Sequence, residues 1–239
     1  MRRTALIAFA LALIGAGAFA LAASGGGAGR ALDVSRTAKA PSVHYTVAVT
    51  LNHRHQPLTL HIVGAAARDK AVAHLSLGLA DARLMRSPAF LYEGGPHSIL
   101  SFGGIDWLRL RVDRLSPHAQ IFSMLRAVTP SPLLRVVAEA KLHPAGATGV
   151  FTGPVAYDDP IVRTALYQLT AGFEFRGLSL RIVVGRDGLI HRFLLTGHTA
   201  DRSTTLTLRA RLFGFGRPVR VEPPKPGTFM DPDLVKLKA

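Results

Sequence analysis

The chain has no cysteine. That excludes disulfides, thiolate metal sites, cysteine nucleophiles and lipid attachment through a thiol. Carboxylates are scarce: 15 Asp and Glu stand against 29 Lys and Arg, giving a formal charge of +14 over 239 residues. Such a surface favours acidic partners, among them anionic headgroups and cell-wall polymers. Aromatic residues are few, and Trp107 is the single tryptophan. Signatures of catalysis are missing too. There is no Gly-x-Ser-x-Gly and no His-Glu-x-x-His, and Gly25-Gly26-Gly27 lacks the lysine of a phosphate loop. Asp158-Asp159 precedes Pro160, where helix capping accounts for a carboxylate.

The ten histidines raise the question of a metal. His53 and His55 share a face if their segment is extended, and His44, His61 and His74 fall on the polar faces of neighbouring strands. A zinc site needs three or four converging ligands, with carboxylate or thiolate help. No acidic residue lies between Asp33 and Asp69. Solvent-facing strand histidines are the better reading. The expectation is a protein without metal, cofactor or enzymatic activity.

What is present begins with an export segment. Arg2 and Arg3 are followed by no charge until Arg30, and Ala5 to Ala23 is apolar or small throughout. Residues 1–23 therefore read as a secretory signal, or as a single span if they are not cut. Either way the rest of the chain is expected outside the cytoplasmic membrane, on its outer face or in a periplasm-like space. There nucleic acid is not an expected partner. Leu21-Ala22-Ala23 has the form that precedes a lipidated cysteine, but Ser24 stands in that place. Residues 24–39 are Gly- and Ala-rich and read as a flexible linker. Residues 40–225 are enough for one domain with a sizeable core, and residues 226–239 read as a polar tail.

Most of the domain alternates with period two, the mark of half-buried strands. Val43, Tyr45, Val47, Val49 and Leu51 point one way, as do Leu58, Leu60 and Ile62, then Ala71, Ala73, Leu75 and Leu77. Leu108, Leu110 and Val112 alternate with Arg109 and Arg111, and Leu206, Leu208, Ala210 and Leu212 with Arg209 and Arg211. Leu178, Leu180, Ile182 and Val184 precede Asp187-Gly188, a two-residue hairpin signal in which both central positions take positive φ. Between these blocks the period becomes helical. Ser116-Pro117, Ser131-Pro132 and Asp159-Pro160 look like helix starts. Apolar stripes follow at Ile121, Phe122, Leu125 and Val128, at Leu133, Leu134 and Val137, and at Ile161, Val162, Ala165, Leu166 and Leu169. The pattern predicts an α+β fold, an antiparallel sheet with short helices on one face. An apolar sheet under incomplete helical cover can enclose a ligand cavity or an ordinary filled core, and periodicity does not separate the two.

The order of elements resembles the actinobacterial LppX/LprG-type lipoproteins, relatives in fold of the LolA/LolB carriers. The resemblance runs over about residues 40–225. It rests on the export segment and linker, on Trp107-Leu108-Arg109-Leu110, Pro132-Leu133-Leu134 and the helix from Pro160 to Leu169. It is strongest in the hairpin from Val184 to Gly197 and the run from Thr205 to Pro224. The resemblance implies a curved antiparallel half-barrel closed by helices and a carrier of acyl-chain lipids or lipoglycans; a monomer is expected. The concave face would carry Tyr45, Val47, Val49, Leu60, Ile62, Leu75, Leu77, Leu180, Ile182, Leu206 and Leu208, covered by Ile121, Leu125, Leu134 and Val137. The alternative is an envelope interaction or sensor module with a filled core. Arg109, Arg111, Arg209 and Arg211 would project from the outer face and meet an anionic membrane surface, as one basic strip if their strands are neighbours.

Overall fold

A computed structural model describes residues 32–78, 80–94, 106–112, 129–167, 170 and 173–230. Within them the chain folds as one curved, open sheet with short helices on one face, an α+β half-barrel. The strands are β1 (Ser42–His53), β2 (Gln56–Ala67), β3 (Ala71–Leu77), β4 (Ala80–Arg86), β5 (Phe90–Gly94), β6 (Trp107–Arg111), β7 (His143–Pro144), β8 (Val150–Val155), β9 (Arg176–Val184), β10 (Ile190–His198), β11 (Thr204–Phe213) and β12 (Phe229–Met230). The helices are α1 (Val34–Ala38), α2 (Ser131–Glu139) and α3 (Pro160–Tyr167).

The sheet order is β12-β6-β5-β4-β3-β2-β1-β11-β10-β9-β8-β7. Every pairing is antiparallel except β12 on β6, which is parallel. The chain thus runs two meanders, β1 to β6 and β7 to β11, zipped together where β1 pairs with β11. Alternation sets the register. Val47 faces Ile62 on one side and Ala210 on the other, so apolar residues share the inner face across the whole centre. The inner faces of β1–β5 and β8–β11 form a single apolar core with Leu133, Val136 and Val137 of α2 and Val162 and Leu166 of α3.

Local chemistry explains the helices. Asp159 accepts from the amides of Ile161 and Val162 at 2.7 and 3.1 Å, so it caps α3 ahead of Pro160. Val162 and Leu166 are buried, but Ile161 is 42% exposed and does not share their face. In α2 the cap position is Pro130, and Ser131 is already helical rather than the cap. Pro132 sits in the first turn, where its missing N–H costs nothing. The helix start expected at Ser116-Pro117 lies outside the described residues.

Two expected coils are structured. The flexible linker expected to reach Lys39 ends earlier, because Val34–Ala38 is helical. Asp33 caps this helix by accepting from the Arg36 amide at 3.3 Å. Thr37, 4% exposed, accepts from the Ile190 amide at 3.0 Å and ties α1 to the start of β10. The polar tail expected from residue 226 contains a strand: Phe229 and Met230 pair with Trp107 and Leu108 as β12. The apolar Phe229 supplies the reason. It packs with Val221 on a small outer-face cluster of Met85, Tyr92 and Trp107.

The tight turns also differ. The two-residue turn with both φ positive is Arg54-His55, at +48° and +66°, between the paired ends His53 and Gln56. That removes His53 and His55 from a common strand face. At Asp187-Gly188 only Gly188 has positive φ, and the loop is wider, closed by Gly185 N–H to Leu189 O at 2.9 Å.

Candidate functional site

The inner face is built by strand alternation, and it collects the residues expected there. Tyr45, Val47, Val49, Leu60, Ile62, Leu75, Leu180, Ile182, Leu206 and Leu208 are all buried in one core. Val137 covers them from α2, while Leu77 and Leu134 are partly buried at its margin. Ile121 and Leu125 lie outside the described residues.

Two polar groups stand on this face: Tyr45, where alternation places it, and Glu93, which the sequence reading does not name. One row across the strands reads Tyr45, Gly64, Ala73, Leu84, Glu93, Leu108 from β1 to β6. Tyr45 is fully buried and its hydroxyl has no hydrogen-bond partner among the described residues. Burial pushes its pKa well above the usual phenol value. Glu93 is only 9% exposed, and desolvation raises its carboxyl pKa. Its place was legible in principle, because Leu91 and Glu93 share parity while Phe90 and Tyr92 take the other face. No alternating run announces β5, since Phe90 to Tyr92 is apolar on both faces.

The outer face carries the charge. Arg109 and Arg111 on β6 are separated from Arg209 and Arg211 on β11 by five strands, about 29 Å at the usual strand spacing. The four do not form one strip. Arg109 instead packs under the C-terminal segment, its guanidinium 4.0 Å from the centre of the Phe229 ring and 4.9 Å from that of Phe90. Arg209 and Arg211 have different neighbours: Arg192 lies directly opposite Arg211, and Leu194 stands between Arg209 and Arg181. Together with Thr46, Ala48, His61, Val63 and Val183 they line an open groove of about 650 Å³.

The histidines disperse. His53 Nδ1 meets Thr204 Oγ1 at 2.8 Å, His74 meets Asp81 at 3.4 Å and His191 meets Asp187 at 2.9 Å. Among the described residues no three His, Asp or Glu side chains gather as metal ligands. Among them, too, no helix is long and apolar enough to cross a membrane.

The architecture defines a half-barrel of the α+β class. No protein-family model and no curated protein matches the chain in sequence. Solved structures of similar outline do exist. A MucB chain from a Pseudomonas aeruginosa MucA/MucB complex matches with TM-score 0.34 and 14% identity over 79% of this chain, which spans 57% of that one. A DUF1329 family protein from Desulfovibrio piger matches with TM-score 0.29 and 5% identity, over 90% of this chain and 94% of that one. A putative outer membrane lipoprotein-sorting protein domain from Vibrio parahaemolyticus gives TM-score 0.25 and 9% identity, over 79% and 93%. Likeness at this level carries no argument about function.

Proposed function

We propose that the chain is an exported, monomeric binding protein of the cell envelope. It holds the acyl chains of a lipid or lipoglycan against the inner face of its half-barrel and performs no chemistry. Its second partner is an anionic membrane surface, met through Arg209 and Arg211.

The observation that supports this reading is the continuity of the apolar inner face across the sheet. The apolar inner face extends over nine strands, from β5 to β8 in sheet order, about 38 Å across the strands. A continuous apolar lining of that extent suits a hydrocarbon chain, whose transfer from water is favourable at about 0.8 kcal/mol per methylene. Glu93 and the Tyr45 hydroxyl add two polar groups to a largely apolar wall, the pattern of a pocket that orients a ligand with a polar end.

A second reading, an interaction module with a filled core, draws on the burial of Tyr45, Ile182 and Leu208, each at 0% exposure. Native mass spectrometry of the protein purified from cells separates the two. The carrier reading expects a co-purifying lipid mass that is lost in Leu77→Phe. A clean apo mass under gentle conditions overturns the carrier reading and leaves the module.

A further inference from the structure

The outer groove lies on the opposite side of the sheet from the apolar core, so a ligand bound there is independent of the lipid reading of the inner face. Its register is unusual. Arg192 on β10 is directly opposite Arg211 on β11. Like charges in directly opposed positions of an antiparallel pair are destabilising. Arg209 is two residues along from Arg211, and Arg181 lies one strand beyond Leu194, which faces it. Four guanidinium groups therefore rise from three adjacent strands around one apolar residue. The strands β1, β2, β9, β10 and β11 contain no Asp or Glu to neutralise them. Among the described residues none of the four arginines forms an ion pair. Along the row of Arg209 the first carboxylate is Asp81 on β4, four strands away and engaged with His74.

The groove has other features that suit a ligand. Its volume, about 650 Å³, falls within the range of small-molecule sites. Ala48, Val63, Val183 and Leu194 give it an apolar floor. Outside the groove, one row further along the strands, runs a row of hydroxyls: Thr59, Thr50, Thr207, Thr196 and Ser179, in register. Thr50 and Thr59 are within hydrogen-bond distance of each other at 3.0 Å.

We propose that this groove is a binding site for a phosphate-bearing group, clasped by Arg181, Arg192, Arg209 and Arg211. The guanidinium fork matches two phosphate oxygens at once, and four forks from different directions match a multiply charged, tetrahedral anion better than a single flat carboxylate. Thr46, directly opposite Arg211 and on the groove wall, supplies a hydroxyl for a remaining oxygen. The phosphate has two sources, a soluble ester or a lipid headgroup, and the same chemistry serves both.

Calorimetric titration of the purified full chain with inorganic pyrophosphate at low salt tests the site. Binding is expected for the native protein, with affinity lower by about tenfold or more in Arg192→Gln/Arg211→Gln. Arg163→Gln, which removes a charge from α3 on the opposite face, is expected to change it by less than about twofold. No binding by the native protein, or equal losses in both variants, overturns the proposal. Without ligand the double variant should melt at or above the native temperature, since it relieves the Arg192–Arg211 repulsion. Should it fail to fold, Arg181→Gln/Arg209→Gln carries the same expectation. Phosphatidylglycerol vesicles then distinguish the sources. Vesicle binding displaced by pyrophosphate assigns a lipid headgroup to the groove. Pyrophosphate binding with vesicles that neither bind nor compete assigns a soluble ester. Vesicle binding with no pyrophosphate binding overturns the proposal.

Discussion

The hydroxyl end of the Tyr45 ring fills the space beside Gly64, its direct partner across β1 and β2. A side chain at 64 would overlap the Tyr45 hydroxyl and the Val72 carbonyl. The missing Cβ lets a tyrosine ring fill the inner face at its centre. Replacing Gly64 by Ala is therefore expected to destabilise the fold by about 1–3 kcal/mol, the cost of overpacking a dense core. Tyr45→Phe keeps the ring and deletes a buried hydroxyl that has no partner among the described residues. It should be neutral or stabilising by up to about 1 kcal/mol. Urea unfolding of the two variants checks both signs. A Tyr45→Phe loss larger than that of Gly64→Ala would contradict this packing.

Glu93 makes stability depend on acidity. Its folded pKa lies above the ordinary glutamate value of 4.5 because burial disfavours the charged form. The folded state therefore holds its proton to higher pH than the unfolded state does. Stability is greatest below the unfolded pKa, falls as pH rises from there through the raised folded value, and then levels off. Glu93→Gln should remove this fall and leave the protein more stable at neutral pH. Chemical denaturation from about pH 4 to about pH 8, native against variant, measures it. A slope unchanged by the substitution would place the titrating group elsewhere.

The turn at Arg54-His55 holds two residues with side chains in the left-handed region, where glycine or asparagine is at ease. Arg54→Asn/His55→Gly is expected to raise stability by about 1 kcal/mol. The readout is a thermal melt in which the midpoint rises. The same turn marks the boundary of what the residues alone reveal. Period two identifies β1, β2, β9 and β11 residue by residue, because each has one apolar face and the pleat leaves no choice of side. Turns are read from residue preference, so Asp187-Gly188 draws the tight-turn reading that belongs to Arg54-His55. There, the twelve-pair register of β1 on β2 from Ser42 to His53 overrides preference.

Packing depth is less legible than packing side. Ile182 and Leu77 alternate alike in sequence, yet Ile182 is fully buried and Leu77 lies at the margin of the core. Ile182→Phe is expected to cost about 1–3 kcal/mol, and Leu77→Phe much less. Melts of the two variants in parallel test the gradient. Strand order is invisible for a different reason. Alternation says which face a residue takes but not which strand lies beside it, so Arg209 and Arg211 gather with Arg181 and Arg192 rather than with Arg109 and Arg111.

Trp107 reports on the C-terminal strap. It is 9% exposed, pairs with Phe229 across β6 and β12, and shares the outer cluster with Met85, Tyr92 and Val221. Arg109 lies over the Phe229 ring at 4.0 Å from its centre. A parallel contact of two residue pairs is too short to hold by backbone bonds alone, so the Phe229 side chain must supply most of its grip. Phe229→Ala is expected to loosen β12 and bring water to the indole. Because Trp107 is the single tryptophan, the emission spectrum reads this site without interference. The maximum should move to longer wavelength while the circular dichroism of the main sheet stays as it was. Stability should fall by about 1–3 kcal/mol, less than for an aromatic in the main core, because this cluster is small and Phe229 is only partly buried. An unshifted spectrum in a folded Phe229→Ala protein would mean that Val221 and the sheet alone shield the indole, and that the strap does not close over it.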